Sequence, residues 1–531
     1  MDHAIAIDTA EADHQRRSGD NLLHLLSLPA DSRVLIVGKP LEGWREKFRG
    51  SCFQATVGAD QQFGGMYDMA LYHSACASSP REFRAHLKQL RSHTVMNGSL
   101  MIFAENFYSF HNLKRLRDGG LKEVLGKVRS GPAGFRRAIK TGFRFQQEFI
   151  PIPVVADPEE MIAAGSPLLE VSHHMHPLLR LAHRCGCLTA VADGNIFFCT
   201  PERLEEGTLL RSVTAKLASI GIPGRGLSLG RVDLRLRGAM VLFIREQTSG
   251  RHYIVRVVAD PGAREIIRRN QEFLNGLRNL AGLPAGLKSL IPAPLCDLAQ
   301  GDATLFIETM LPGVLAWKAN KGRLKERIYR ESVNFLMGLN RASRARVRLG
   351  ETELYRLFSD DLRRLESCPD AEPVLQEEVR AIAGRLCRRL HGRSVFLAPA
   401  HGDYGYGNIL VDPHSGRLTG VIDWDTGRLN ELAGLDFLNL EIQKARIEND
   451  WGLFPAFTAV SKAVIARGGL DLAGGYREEF GIEGELVPLF LAIALVRYLS
   501  RAAQYPEVFS SEQGDYLRAL DHLKVMLEAI E

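Results

Sequence analysis

Three polar residues in the C-terminal third have the types and spacing for phosphoryl transfer. The run HGDYGYGNIL, from His401 to Leu410, carries a carboxylate, Asp403, and a carboxamide, Asn408. Asp423 follows in GVIDWD, at the end of a second apolar stretch, Leu418 to Ile422. Between the two stretches, Asp412, Pro413, Ser415 and Gly416 predict a tight turn. The stretches therefore read as a hairpin that lets the three polar groups converge. Moving a phosphoryl group to a hydroxyl needs a base to orient that hydroxyl and oxygen ligands for Mg²⁺.

HGDxxxxNIL followed by GVIDWD resembles the aminoglycoside phosphotransferase and choline kinase superfamily, a branch of the protein-kinase-like fold. The resemblance implies that Asp403 is the catalytic base, that Asn408 and Asp423 bind the metal, and that ATP and Mg²⁺ are used. It also implies a phosphoryl acceptor with an alcohol group: a sugar, an amino alcohol or a glycan end.

These residues need an upstream lobe to hold the nucleotide. Leu229 to Leu236 alternates apolar and polar residues, as a strand with one buried face does. A turn at Arg237, Gly238 and Ala239 leads to a second strand, Met240 to Ile244. Thr248, Ser249 and Gly250 turn again, and Tyr253 to Val258 is a third strand. The resemblance implies that this meander covers the ATP phosphates, with Gly238 at the phosphate turn. Arg256, on the third strand, stands where the cation for the α- and β-phosphates belongs, and arginine binds phosphate as a planar fork. A helix follows Pro261, with Ile267, Leu274, Leu277 and Leu280 at helical spacing. Glu272 within it is the candidate partner of Arg256, and Glu265 is the alternative that spacing leaves open. Leu305 to Leu311 resembles the hinge between kinase lobes, which places backbone groups of Glu308, Thr309 and Met310 at the adenine edge. Arg323 to Ala342 predicts a long helix. Asp360 to Leu390 is helical, with an interruption near Pro369 and Pro373. Asp436 matches the family's structural Asp ahead of the closing helices. The resemblance spans residues 211–531, with an N-lobe at 211–310 and a C-lobe at 311–531.

The front of the chain reads differently. A polar tail occupies residues 1–19, and an α/β domain is expected over 20–203. Leu22 to Leu28 predicts a helix. Arg33 to Gly38, Tyr67 to Tyr72 and Ser99 to Ala104 predict strands, and a helix begins soon after Pro80. This alternation predicts a doubly wound sheet. The order resembles a class I S-adenosylmethionine-dependent methyltransferase, a Rossmann-like fold, with Phe143 to Val155 and Asn195 to Cys199 as closing strands. The cofactor loop departs from that family. Gly38 is followed by Lys39-Pro40-Leu41-Glu42-Gly43, and Pro40 lacks an N–H where backbone must approach the ligand. S-adenosylmethionine is therefore not expected to bind, and the domain is expected to dock substrate.

The chain has 531 residues, enough for two or three domains, and 45% hydrophobic residues, enough for their cores. A net charge of +5 does not demand nucleic acid, and no nucleic-acid motif is present. Lys114 to Arg144, which includes Arg136 and Arg137, is the most basic stretch and reads as a solvated face or an anion-binding surface. His173, His174, His176, His183, Cys185, Cys187 and Cys199 lack the spacing of a zinc site. The remaining cysteines are scattered singly, as free thiols of a cytoplasmic protein would be. Leu486 to Leu499 is apolar but contains Arg497 and falls short of the about 20 residues that span a bilayer. Two other functions fit the same sequence: an active methyltransferase with a regulatory kinase-like domain, and a non-catalytic scaffold.

Overall fold

The computed structural model describes residues 32–38, 41, 44, 53–56, 66–77, 79–105, 135–136, 139, 144–153, 158–163, 194–200, 208–222, 226–236, 239–247, 249–300, 303–368, 371–466, 475–482, 485–503 and 506–528. The chain divides into two compact units. One comprises Met1–Glu265 with Leu295–Met310, the other Ile266–Pro294 with Leu311–Glu531.

Among the described residues, the first unit is built on one sheet of twelve strands. In chain order these are β1 (Val34–Val37), β2 (Phe53–Thr56), β3 (Tyr67–His73), β4 (Thr94–Glu105), β5 (Arg144–Pro153), β6 (Pro158–Ala163), β7 (Gly194–Thr200), β8 (Leu227–Leu236), β9 (Ala239–Glu246), β10 (His252–Val258), β11 (Pro294–Gln300) and β12 (Ala303–Thr309). Their order across the sheet is β11-β12-β10-β9-β8-β6-β5-β7-β4-β3-β1-β2. β2, β1, β3 and β4 pair in parallel, and β7 then joins β4 antiparallel. All four residues of β1 are buried, as an apolar run covered on both faces should be. Helix Pro80–His93 starts where Ser79 Oγ accepts the Glu82 N–H at 3.2 Å and Pro80 stands in the first turn. It buries Phe83, Leu87 and Leu90 on one face, in a core with Tyr72 and Phe135.

The predicted meander is present as β8, β9 and β10. In β10, Tyr253, Val255 and Val257 are buried while Ile254 and Arg256 lie half-buried on the other face. One pairing was not anticipated. β6, from the front segment, pairs with β8, placing Met161 opposite Val232 and Ile162 opposite Arg231. The hydrogen-bonded ladder therefore crosses the boundary expected between residues 203 and 211. The exposed flank of the meander is thereby covered, which removes an edge strand.

The second unit is mainly helical. Helix Leu324–Ser343 buries Ile328, Ser332, Val333, Phe335, Leu336, Leu339 and Asn340, a stripe of three- and four-residue steps. The interruption expected near Pro369 and Pro373 separates Glu351–Glu366 from Pro373–Leu390. The first of these starts at Glu351 rather than Asp360, because Glu353 reaches back to the Gly350 N–H at 3.0 Å. Two small sheets complete the unit. One orders β13 (Val314–Leu315), β16 (Ile409–Val411) and β17 (Leu418–Val421), the other β14 (Ala345–Arg348), β15 (Ser394–Ala400) and β18 (Arg428–Leu432). Among the described residues no helix is long and apolar enough to cross a membrane.

Candidate active site

The predicted hairpin is β16–β17, with Ile409 opposite Val421 and Leu410 opposite Gly420. Asp412 shapes its turn: Oδ1 accepts the N–H groups of His414 at 3.1 Å and Ser415 at 2.7 Å. Those bonds hold the Asp412 carboxyl below its usual range. Asn408 precedes β16 and touches both neighbours of interest. Its Nδ2 donates to the Asp403 carbonyl at 2.9 Å, and its own carbonyl accepts the Ile422 N–H at 2.9 Å. Asn408 thus ties the loop with Asp403, through its carboxamide, and the residue before Asp423, through its backbone carbonyl, to the start of β16.

His401 makes a second tie. Its Nδ1 accepts the Asp403 N–H at 3.2 Å, so the proton sits on Nε2, which lies 2.8 Å from the Ile422 carbonyl. The ring is buried and packs 4.5 Å from Trp424. Asp436 holds the loop from behind, accepting the backbone N–H of His401 at 2.5 Å and of Gly402 at 2.9 Å. Burial raises the Asp436 carboxyl above its usual range, against the opposing pull of His401 and the two N–H groups. Gly402 has φ +81°, and a Cβ there would stand 2.4 Å from the Thr426 carbonyl oxygen, so no other residue fits. Tyr404 is buried against Phe335, and its hydroxyl donates to the Ser332 carbonyl at 3.0 Å.

Asp423 lies in the left-handed region, at φ +67°. A non-glycine residue there costs about 1–3 kcal/mol and persists where its surroundings impose it. Asp403 keeps 31% of its side chain exposed and is reached by Arg501, whose Nη1 lies 3.1 Å from Asp403 Oδ1 and 2.7 Å from the Gly402 carbonyl oxygen. Beside this loop lies a buried ionic network. Arg428 Nη2 donates to both oxygens of Asp361 at 3.1 Å, and Arg497 pairs with Asp361 and with Glu431, the latter at 2.8 Å.

Residues 241–433 match the phosphotransferase enzyme family. This segment runs from β9 to the end of β18 and contains Asp403, Asn408 and Asp423. Asp436, Arg497 and Arg501 lie beyond it. A thermostable mutant of aminoglycoside phosphotransferase APH(4)-Ia is 14% identical with a TM-score of 0.39, and the match covers 60% of this chain and 98% of that one. The Plasmodium vivax ethanolamine kinase is also 14% identical, TM-score 0.35, covering 61% and 88%. A choline/ethanolamine kinase family protein from Mesorhizobium loti is 18% identical, TM-score 0.34, covering 60% and 99%. Comparison with curated proteins gives no match.

The other expected residues of the phosphotransferase segment fall in the first unit or on helix Pro261–Arg278. Arg256 Nη2 lies 3.2 Å from Glu308 Oε1. Glu308, two positions along β12 from the cross-strand partner Phe306, is thus one carboxylate set against Arg256. Glu272 is exposed on its helix. Met310 donates its N–H to the His252 carbonyl at 3.0 Å, so that N–H is engaged within the protein. Gly238, Arg137 and His173 to Cys187 lie outside the described residues.

Sequence reasoning missed Arg501 and used Arg497 only as an argument against a membrane span. Two arginines one turn apart on the apolar helix Leu486–Ala502 need buried carboxylates to face. Burial pushes the Glu431 carboxyl up to about 7, with Arg428 and the Leu432 N–H opposing. The folded protein then retains a proton that the unfolded chain releases above its ordinary carboxylate range. Stability should fall as pH rises from about 4.5 to about 7 and level off above, with a slope of at most about 1.4 kcal/mol per pH unit from this group. Denaturant midpoints of wild type and Glu431→Gln across that window check this. A wild-type slope no steeper than the variant's would exclude Glu431 as its source.

Proposed function

We propose that this protein transfers the γ-phosphoryl group of ATP to a hydroxyl of a small molecule or glycan end. The carrying observation is the joint made by Asn408 and His401, which brings Asp403 and the strand end bearing Asp423 into one construction. Ordinary turn carboxylates need no such double tie. The match of residues 241–433 to the phosphotransferase enzyme family supports the same reading.

Asp403 orients the acceptor hydroxyl and takes its proton as the oxygen attacks phosphorus. The bond from phosphorus to the β,γ-bridging oxygen breaks, and ADP leaves. Arg501 and the Asp436-anchored backbone hold Asp403 in place, so little motion is lost on reaching the transition state. Arg256, kept in position by Glu308, is the cation for the nucleotide phosphates.

The donor set fits Mg²⁺. Asn408 spends its Nδ2 on the Asp403 carbonyl, which leaves its side-chain oxygen as a hard ligand, and Asp423 offers a carboxylate one residue past the backbone bond to Ile422. Two protein oxygens suit a cation that otherwise keeps water and phosphate oxygens. When bound there, Mg²⁺ would neutralise charge on the phosphate oxygens. Asp423→Ala should weaken Mg²⁺-dependent nucleotide binding. Titrating Mg²⁺ against ATP affinity checks this, and an unchanged metal dependence would assign the ion to other ligands.

For the front segment, the reading without S-adenosylmethionine is retained. At Gly38, φ +120°, the close neighbours are the chain's own Cys76 Sγ and His73 Cβ, at 2.8 and 2.9 Å from where a Cβ would stand. Leu41 and Trp44 after it are buried. Radiolabelled ATP offered with sugars, amino alcohols and glycan fragments tests the main reading. Label in no product, from an enzyme that binds ATP, would favour the scaffold.

A further inference from the structure

Arg497 and Arg501 line a cavity in the second unit together with Arg364, from helix Glu351–Glu366, and Arg428, from β18. The cavity adjoins the base loop, because Gly402 lines it and Arg501 bonds both the Gly402 carbonyl and Asp403. Its carboxylates are already engaged. Asp361 and Glu431 face Arg428 and Arg497, and Asp436 holds the backbone of His401 and Gly402. Arg364 is the exposed member and forms no ion pair among the described residues. Desolvation first, and the charge of Arg428 second, pull its guanidinium below the usual arginine range, against the opposing charges of Asp360 and Asp425. Four arginines thus stand against three carboxylates, Asp361, Glu431 and Asp436, in the lining. An ammonium group would be repelled there. A carboxylate or phosphate would find planar guanidinium forks.

We propose that this cavity is the acceptor subsite, and that the acceptor carries an anionic group, a carboxylate or phosphate, near the hydroxyl that is phosphorylated. The inference rests on the phosphotransferase reading and narrows its substrate class. It sets the acceptor apart from a polyamine or an amino alcohol, whose cationic groups the arginines would exclude.

Saturation-transfer NMR on the full-length protein, with ADP and Mg²⁺ at saturation, tests it without needing turnover. The probes are glucose, glucosamine, glucuronate and glucose 6-phosphate. Signal is expected for one or both anionic probes, and none for glucosamine. The first anion to respond tells carboxylate from phosphate. Arg364→Glu, at an exposed position, should weaken the anionic probe by about tenfold or more, and Arg364→Gln by less. Four results would overturn the subsite: no signal from either anion, glucosamine binding as well as they do, an anion signal untouched by Arg364→Glu, or an anion signal that appears only without ADP. Failure of the phosphotransferase reading shows elsewhere, as absence of label transfer to any hydroxyl compound.

Discussion

Asp403→Asn should lower phosphoryl transfer by about 10²–10⁴-fold while leaving ATP affinity within a few fold. The amide keeps the size of the carboxylate and can still sit near Arg501, 3.1 Å away in the wild type. It cannot accept the acceptor's proton. The loop itself should survive, because its anchors are backbone groups held by Asp436 and by His401. Turnover and ATP affinity measured on the same preparation separate these effects. Wild-type turnover would remove Asp403 from the chemistry. A parallel loss of ATP affinity would make it part of the nucleotide site instead.

Arg497→Met should destabilise the second unit by about 3–5 kcal/mol, the usual cost of breaking a buried ion pair from one side. Asp361 retains Arg428, but Glu431 keeps only a 3.4 Å contact to the same guanidinium. The cost comes from removing a buried cation that faces two carboxylates, and protonation of Glu431 would absorb part of it. Glu431→Gln added to Arg497→Met should therefore recover part of the loss, and a double-mutant cycle by denaturant unfolding measures how much. A single-variant loss below about 0.5 kcal/mol would mean that the network relaxes without penalty.

Much of this was legible in the chain because local chemistry decided it. Alternation in Tyr253 to Val258, the Asp412 turn and the Ser79–Pro80 start each carry their cause within a few residues. The bonds of Asn408 to Asp403 and to Ile422 follow from a hairpin that the spacing already predicted, where short separation in sequence becomes contact. What escaped depended on long-range pairing. Nothing local to Pro158–Ala163 says that β8 will be its neighbour. Nothing near Arg256 distinguishes Glu308, 52 positions away, from the nearer glutamates. Arg501 lies almost a hundred residues beyond Asp403, and only the packing of an apolar helix brings it there.

The β6–β8 ladder makes the front segment and the meander one cooperative opening unit. Strands that share hydrogen bonds along their length lose protection together, so local fluctuations there should be damped on both sides of the expected boundary. A chain cut just before Thr208 would not start with a finished domain. It would carry β8 with a bare row of donors and acceptors, a template that recruits a strand from another copy. What divides readily in the sequence is, at the level of the backbone ladder, a single fabric.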